Sequence, residues 1–201
     1  MKKKLIASIA AVCALAVLVI GSTFAFFTSK DSAKNTFTMG DLTIKVTEKQ
    51  DENKGKTGTE TKDGIEYTDG LPGDTFSKQP IVTNEGSADA WIRVKIDVAC
   101  TNGDITAEQM AALKAAIIED MCTNYGWAQK DGDTEYVYYT EKMAKGDEAT
   151  LFETVKIPNT WGNEAANASF TISIDAQGVQ ANNNGETWAD ADWSADVANF
   201  N

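Results

Sequence analysis

The chain has 201 residues, with 30 acidic against 18 basic side chains, a net charge of −12 and no histidine. A surface this acidic repels nucleic acid and anionic lipid, which excludes both as partners held by charge. Without imidazole the chain lacks the usual general base, the Ser-His and Cys-His nucleophile pairs and the commonest zinc ligand, HExxH sites included.

The N-terminus opens on Lys2, Lys3 and Lys4, followed by an uncharged run from Leu5 to Thr28. A basic start, an apolar middle and small residues before a cut are the pattern of a secretory signal peptide. Gly21-Ser22-Thr23-Phe24-Ala25 supplies the small residues, so cleavage is expected between Ala25 and Phe26. The competing reading is an uncleaved anchor, since about 18 apolar residues can span a bilayer; the membrane would then be met only through this segment. Cleavage leaves 176 residues, enough for one domain with a real core. It also takes the net charge to −15, because three lysines and no acid depart.

Residues 26–38 are mostly polar, with Phe26, Phe27 and Phe37 as their large apolar groups. Leu42, Ile44 and Val46 then alternate with polar neighbours, the period of a half-buried strand. Glu48–Gly64 holds three glycines and no aliphatic residue, and reads as a mobile loop. Leu71-Pro72-Gly73-Asp74 is a turn; it resembles the start of a sortase signal but lacks the threonine-glycine ending. Thr75–Thr83 is a strand interrupted by Pro80, which suits an edge or a bulge. Ala88–Cys100 is the clearest strand, with Ile92, Val94, Ile96 and Val98 facing one way and Trp91, Arg93, Lys95 and Asp97 the other. Arg93, the only arginine, is expected on a solvated face beside an acid.

Asp104–Tyr125 reads as a helix. Thr106 and Gln109 have capping-box spacing, Met110, Leu113, Ile117 and Met121 form one apolar stripe, and Gly126 stops it. An Asp-Gly turn at Lys130–Asp133 joins Trp127–Gln129 to Glu135–Tyr139 as a hairpin. Ala149–Ile157 is a further strand, and Ala168–Ala176 another, which Val179 extends past a bulge at Gly178. Residues 185–201 carry Trp188, Trp193 and Phe200 among acids and read as a weakly ordered acidic tail. Seven to nine short strands and one inserted helix, at about 105–125, specify a mainly β fold, an antiparallel β-sandwich. The divisions are 1–25 signal, 26–38 N-terminal segment, 39–184 sandwich and 185–201 tail.

Few motifs rise above chance. Asp190, Asp192, Ser194 and Asp196 imitate the first ligands of a calcium loop, but Ala195 stands where the turning glycine belongs and Asn201 where the bidentate glutamate belongs. Asn167-Ala168-Ser169 is a glycosylation sequon at a strand start. No Gly-rich phosphate loop is present, and no cofactor, metal site or catalytic residue is expected. Cys100 and Cys122 remain after cleavage. In an exported chain they form a possible disulfide closing a loop of about 20 residues, worth roughly 3 kcal/mol; the alternative is two reduced, buried thiols.

Taken in order, the signal ending Thr23-Phe24-Ala25-Phe26, then Ser29-Lys30-Asp31, Phe37-Thr38-Met39-Gly40-Asp41-Leu42, Leu71-Pro72-Gly73-Asp74, Val82-x-Asn84-x-Gly86-Ser87 and the strand Phe170–Ala176 resemble the TasA/camelysin family of exported Gram-positive proteins. The resemblance implies processing by a SipW-type signal peptidase and a jelly-roll form of the sandwich. It implies a secreted subunit of the biofilm matrix that polymerises with copies of itself. In such fibres the N-terminal segment of one subunit completes the sheet of the next, which carries over here to Phe26–Thr38, with Phe26, Phe27 and Phe37 as side-chain anchors. Camelysin is also described as a metal-dependent protease, an activity for which a chain without histidine offers no residue set. The alternatives are a monomeric cell-surface adhesin or carbohydrate binder using Trp91, Tyr136, Tyr138 or the tail tryptophans, and a secreted peptidase.

Overall fold

The computed structural model describes residues 41–61, 64–162, 165, 168–194 and 198–200. The expected cleavage site at Ala25 and Phe26, the segment with Phe27 and Phe37, and Asn167 of the sequon lie outside them.

Two antiparallel layers enclose the core. One is built from β1 (Ile44–Lys49), β5 (Gln79–Asn84) and β9 (Glu148–Thr150), in the order β1-β5-β9. β4 (Thr75–Ser77) and β10 (Thr154–Lys156) form a two-stranded sheet beside it. The other layer joins β6 (Ala90–Asn102), β7 (Trp127–Gln129), β8 (Tyr136–Tyr139), β11 (Ser169–Gln180) and β12 (Ala198–Phe200), in the order β12-β11-β6-β8-β7. β2 (Thr59–Thr61) and β3 (Gly64–Glu66) make a separate hairpin. The described strands outnumber the seven to nine expected, because several are only three residues long, too short to show a period.

β6 and β11 are the spine. They pair antiparallel along nearly their whole lengths, from Ser169↔Asn102 to Gln180↔Ala90. The alternation expected of β6 holds: Ile92, Val94 and Ile96 are buried in the main core with Val82, Leu151 and Phe152. Each such side chain contributes roughly 1.5–3 kcal/mol relative to exposure. The helix α1 (Ala107–Asn124) forms as its sequence requires. Thr106 accepts from the Gln109 amide while the Gln109 side chain accepts from the Thr106 amide, and Met110, Leu113, Ile117 and Met121 are the buried stripe.

Four expectations need correction. Pro80 does not mark an edge: β5 is the central strand of its sheet, and Pro80 sits just outside the β5–β9 ladder, whose pairs begin at Ile81↔Thr150. Its carbonyl accepts from Leu151, so its absent N–H faces the same side, beyond the last registered pair. The single strands expected over Thr75–Thr83 and Ala149–Ile157 each break in two. The chain passes from one sheet to the other at Lys78 and at 151–153, and Lys78 N–H donates to the Glu153 carbonyl at this shared corner. Glu48–Gly64 is not a bare loop. It holds β2, and Gly55 lets it lie flush on β4, where a Cβ would meet Thr75 O at 2.7 Å. β11 runs through Gly178 in unbroken register, and the irregularity falls at Ser169/Phe170 instead. Gly178 is closely packed, since a Cβ there would stand 3.2 Å from Ile92 Cδ1 and 3.5 Å from Ile44 Cδ1.

The C-terminal stretch is also better organised than its composition suggests. Trp91, Val179, Ala181 and Ala191 form a second small core on the outer face of the five-stranded sheet, with Trp188 and Trp193 packed against it. Tyr138 is buried there, its ring 5.5 Å from Trp188 and 5.6 Å from Trp193. Residues 185–194 are therefore a cover, not a loose tail.

Candidate strand-acceptor groove

The two ends of β11 differ in cover. At Ala176–Gly178 the strand has β6 on one side and β12 on the other. Over Ser169–Asp175, β6 is its only registered neighbour among the described residues. There the residues alternate: Ser169, Thr171, Ser173 and Asp175 are exposed, while Phe170, Ile172 and Ile174 turn inward yet remain only half-buried. Facing this end of β11 is a groove of about 1390 Å³. Its apolar wall includes Phe76, Ile105, Val155, Ile157, Trp161 and Phe170. Trp161 meets Phe170 edge-on at 5.9 Å, and Tyr67 meets Phe76 edge-on at 5.2 Å.

One part of the wall is charged. Glu48 and Lys78 line the groove, and the Lys78 ammonium donates to Glu48 Oε1. The Lys78 side chain is 10% exposed and that of Glu48 23%, so the pair is mostly shielded from bulk water. The second oxygen, Glu48 Oε2, is buried and has no hydrogen-bond partner. Beside it, Tyr67 donates its hydroxyl proton to the Ser77 carbonyl. Burial, then the charge of Glu48, pushes the Tyr67 phenol up to about 12. Buried charges are costly unless paired. Sequence reading missed the pair, although a signal was present. Leu42, Ile44 and Val46 alternate inward, and the next position of that period is Glu48.

The other candidate residues are not brought together. Cys100 and Cys122 are free thiols, so the possible disulfide is corrected. α1 runs antiparallel to β6, with Lys114 beside Asp97 at 3.8 Å. Cys122 lies two turns further along α1, and Cys100 lies three residues the other way along β6. That puts them on the order of 20 Å apart, against the ~7 Å limit for a bridge. Burial raises the Cys122 thiol pKa, and the Cys100 thiol contacts the Asn102 carbonyl at 3.3 Å.

Arg93 is not the solvated partner of an acid that its strand position suggests. Its Nε donates to Gln177 Oε1 at 2.8 Å, and its guanidinium carbon lies 3.8 Å from the Tyr136 ring centroid and 4.4 Å from that of Trp193. Asp133 instead receives the Tyr138 hydroxyl. In the calcium-like stretch, Asp192 accepts from the Ser194 amide and hydroxyl, and Asp190 from the Thr187 hydroxyl, so these carboxylates close local turns.

Comparison with known proteins decides the lineage. Residues 1–170 match the family described as camelysin metallo-endopeptidase. The chain belongs to that family. It is the family that includes TasA, and membership supports an extracellular or cell-surface protein. No curated protein matches the chain as a relative. The camelysin description implies a catalytic metal, which the donor set of this chain does not fit. The sequence has no histidine, and among the described residues no group of three or more Cys, Asp or Glu side chains converges. Among the described residues, the one buried carboxylate oxygen without a partner, Glu48 Oε2, stands beside a lysine ammonium, a poor neighbour for a cation.

Proposed function

We propose that this camelysin-family chain is a secreted structural protein of the extracellular matrix that polymerises with itself, by lodging residues 26–38 of one copy in the groove of the next. The observation that supports this reading is the Ser169–Asp175 border of β11, which has β6 as its only registered neighbour among the described residues, beside the groove. A strand border without a neighbour presents unpaired N–H and C=O groups, and an added strand satisfies them. Phe26, Phe27 and Phe37 would fill apolar wall positions while the backbone supplies hydrogen bonds. Cleavage at Ala25 by a SipW-type peptidase would release this lead only after export, so assembly would wait until the chain is outside.

The adhesin alternative loses its best rings, because Trp91 and Tyr138 are 6% and 2% exposed and packed beneath residues 185–194. Electron microscopy of the mature chain, residues 26–201, tests the proposal. Filaments are expected from it and none from a variant carrying a bulky N-terminal extension; filaments of normal length from the extended variant would refute the mechanism. The family description favours a second reading, a metal-dependent peptidase. Casein hydrolysis that a chelator abolishes would establish it.

A further inference from the structure

We propose that Glu48 and Lys78 form a clamp for one peptide unit of the strand lodged in the groove, Glu48 Oε2 accepting a backbone N–H and Lys78 donating to a backbone carbonyl. The inference rests on the strand-lodging reading above and names the polar contact within it.

The pair is closed in charge but open in hydrogen bonding. The carboxylate has given one oxygen to the ammonium and holds the other buried with no partner. The ammonium has three N–H groups and spends one on Glu48 Oε1. A neutral pair of this kind does not call for a further ion. It calls for a neutral group carrying a donor and an acceptor side by side, which is what an extended peptide presents. Oε2 lies close to Gly64 of β3, 3.9 Å from where a Cβ there would stand, and is shielded from solvent, so the lodged strand must displace what shields it. Both side chains line the same groove as Ser169–Ser173 of that β11 border. The occupant is residues 26–38 of a second copy, fifteen residues of mature chain standing ahead of Asp41, the first described residue. For stability alone an apolar pair of like volume would serve as well or better, so the retained charges point to recognition.

The test uses a fluorescent synthetic peptide of residues 26–38 and the mature chain below its assembly concentration. The wild type is expected to bind it. The double variant Glu48→Met, Lys78→Met is expected to melt at or above the wild-type temperature and to bind about tenfold or more weakly, having lost two hydrogen bonds to charged groups. A series of peptides, each N-methylated at one amide, should contain one position where methylation weakens wild-type binding but leaves the double variant unchanged. If the double variant binds as tightly as the wild type, or no such position exists, the clamp is wrong while strand lodging stands. If the wild type itself ignores the peptide, strand lodging fails and the clamp with it. Should the double variant not fold, Glu48→Gln with the same peptide series decides, and loss of the position-specific effect is the supporting result.

Discussion

The Ala176–Gln180 end of β11 and its Ser169–Asp175 end obey the same period-two pattern but have different surroundings. At the first, Ile44 and Ile92 close on the backbone, and a Cβ at Gly178 would press on Ile92 at 3.2 Å. At the second, Phe170 and Ile172 face inward with their cover incomplete. Alternation states which way a side chain points. It does not state whether anything arrives to meet it.

The contrast can be broken by paired substitutions. Ile92→Ala, at the fully covered end, should cost about 2–5 kcal/mol, read as a drop in the urea midpoint. Ile172→Ala, at the half-covered end, should cost about 1 kcal/mol or less in the monomer, because little area leaves contact, and yet should abolish or strongly reduce filament formation. Equal losses at the two sites would show that the ends do not differ. Trp193→Ala sharpens a second contrast, between inner and outer faces. It removes ring contacts to Tyr138 and Arg93 and should cost on the order of 1–2 kcal/mol, with loss of near-ultraviolet dichroism. A value near zero would return residues 185–194 to the status of a loose tail. Thr106→Ala, which deletes the α1 cap, should cost about 1 kcal/mol and leave filaments intact.

A further effect is in alkali. Tyr67 and Tyr125 both stand at about 12, raised first by burial, against about 10 when unfolded. A phenol whose folded value is raised favours the native state fully below pH ~10, and that contribution is lost as pH climbs from about 10 towards 12. Absorbance titration at alkaline pH should therefore show Tyr67 and Tyr125 ionising late in the native chain and normally in denaturant, and burial raises Tyr138 and Tyr139 in the same direction. Five coincident titrations would contradict the burial of Tyr67.

Most of the sandwich was legible because its signals are local. The β6 alternation, the α1 stripe, the Thr106/Gln109 cap and the Asp-Gly hairpin each lie within one element. What escaped depends on other parts of the chain. Lys78 breaks a strand because the chain turns a corner against Glu153. Pro80 sits in a central strand because its missing N–H falls past the end of β9. Arg93 leaves its expected acid because Tyr136 and Trp193, 43 and 100 residues away, arrive over it. The groove belongs to this class. Glu48 breaks the inward pattern begun by Ile44 and Val46 in plain sight, but its partner Lys78 lies 30 residues further on and is found only in space.

The small strand β12 has a mechanical consequence. It pairs only with Ala176–Gly178, and the seven residues Ser169–Asp175, roughly 23 Å of ladder, have no second registered neighbour among the described residues. A lead of thirteen residues, 26–38, lodged along all of that length would overhang by six, at most about 20 Å of chain. Successive copies would then stand almost touching, and the axial repeat of a filament would be set by the body of the domain and not by a long linker. Removing β12 would lengthen the free ladder, use up that overhang and shorten the repeat.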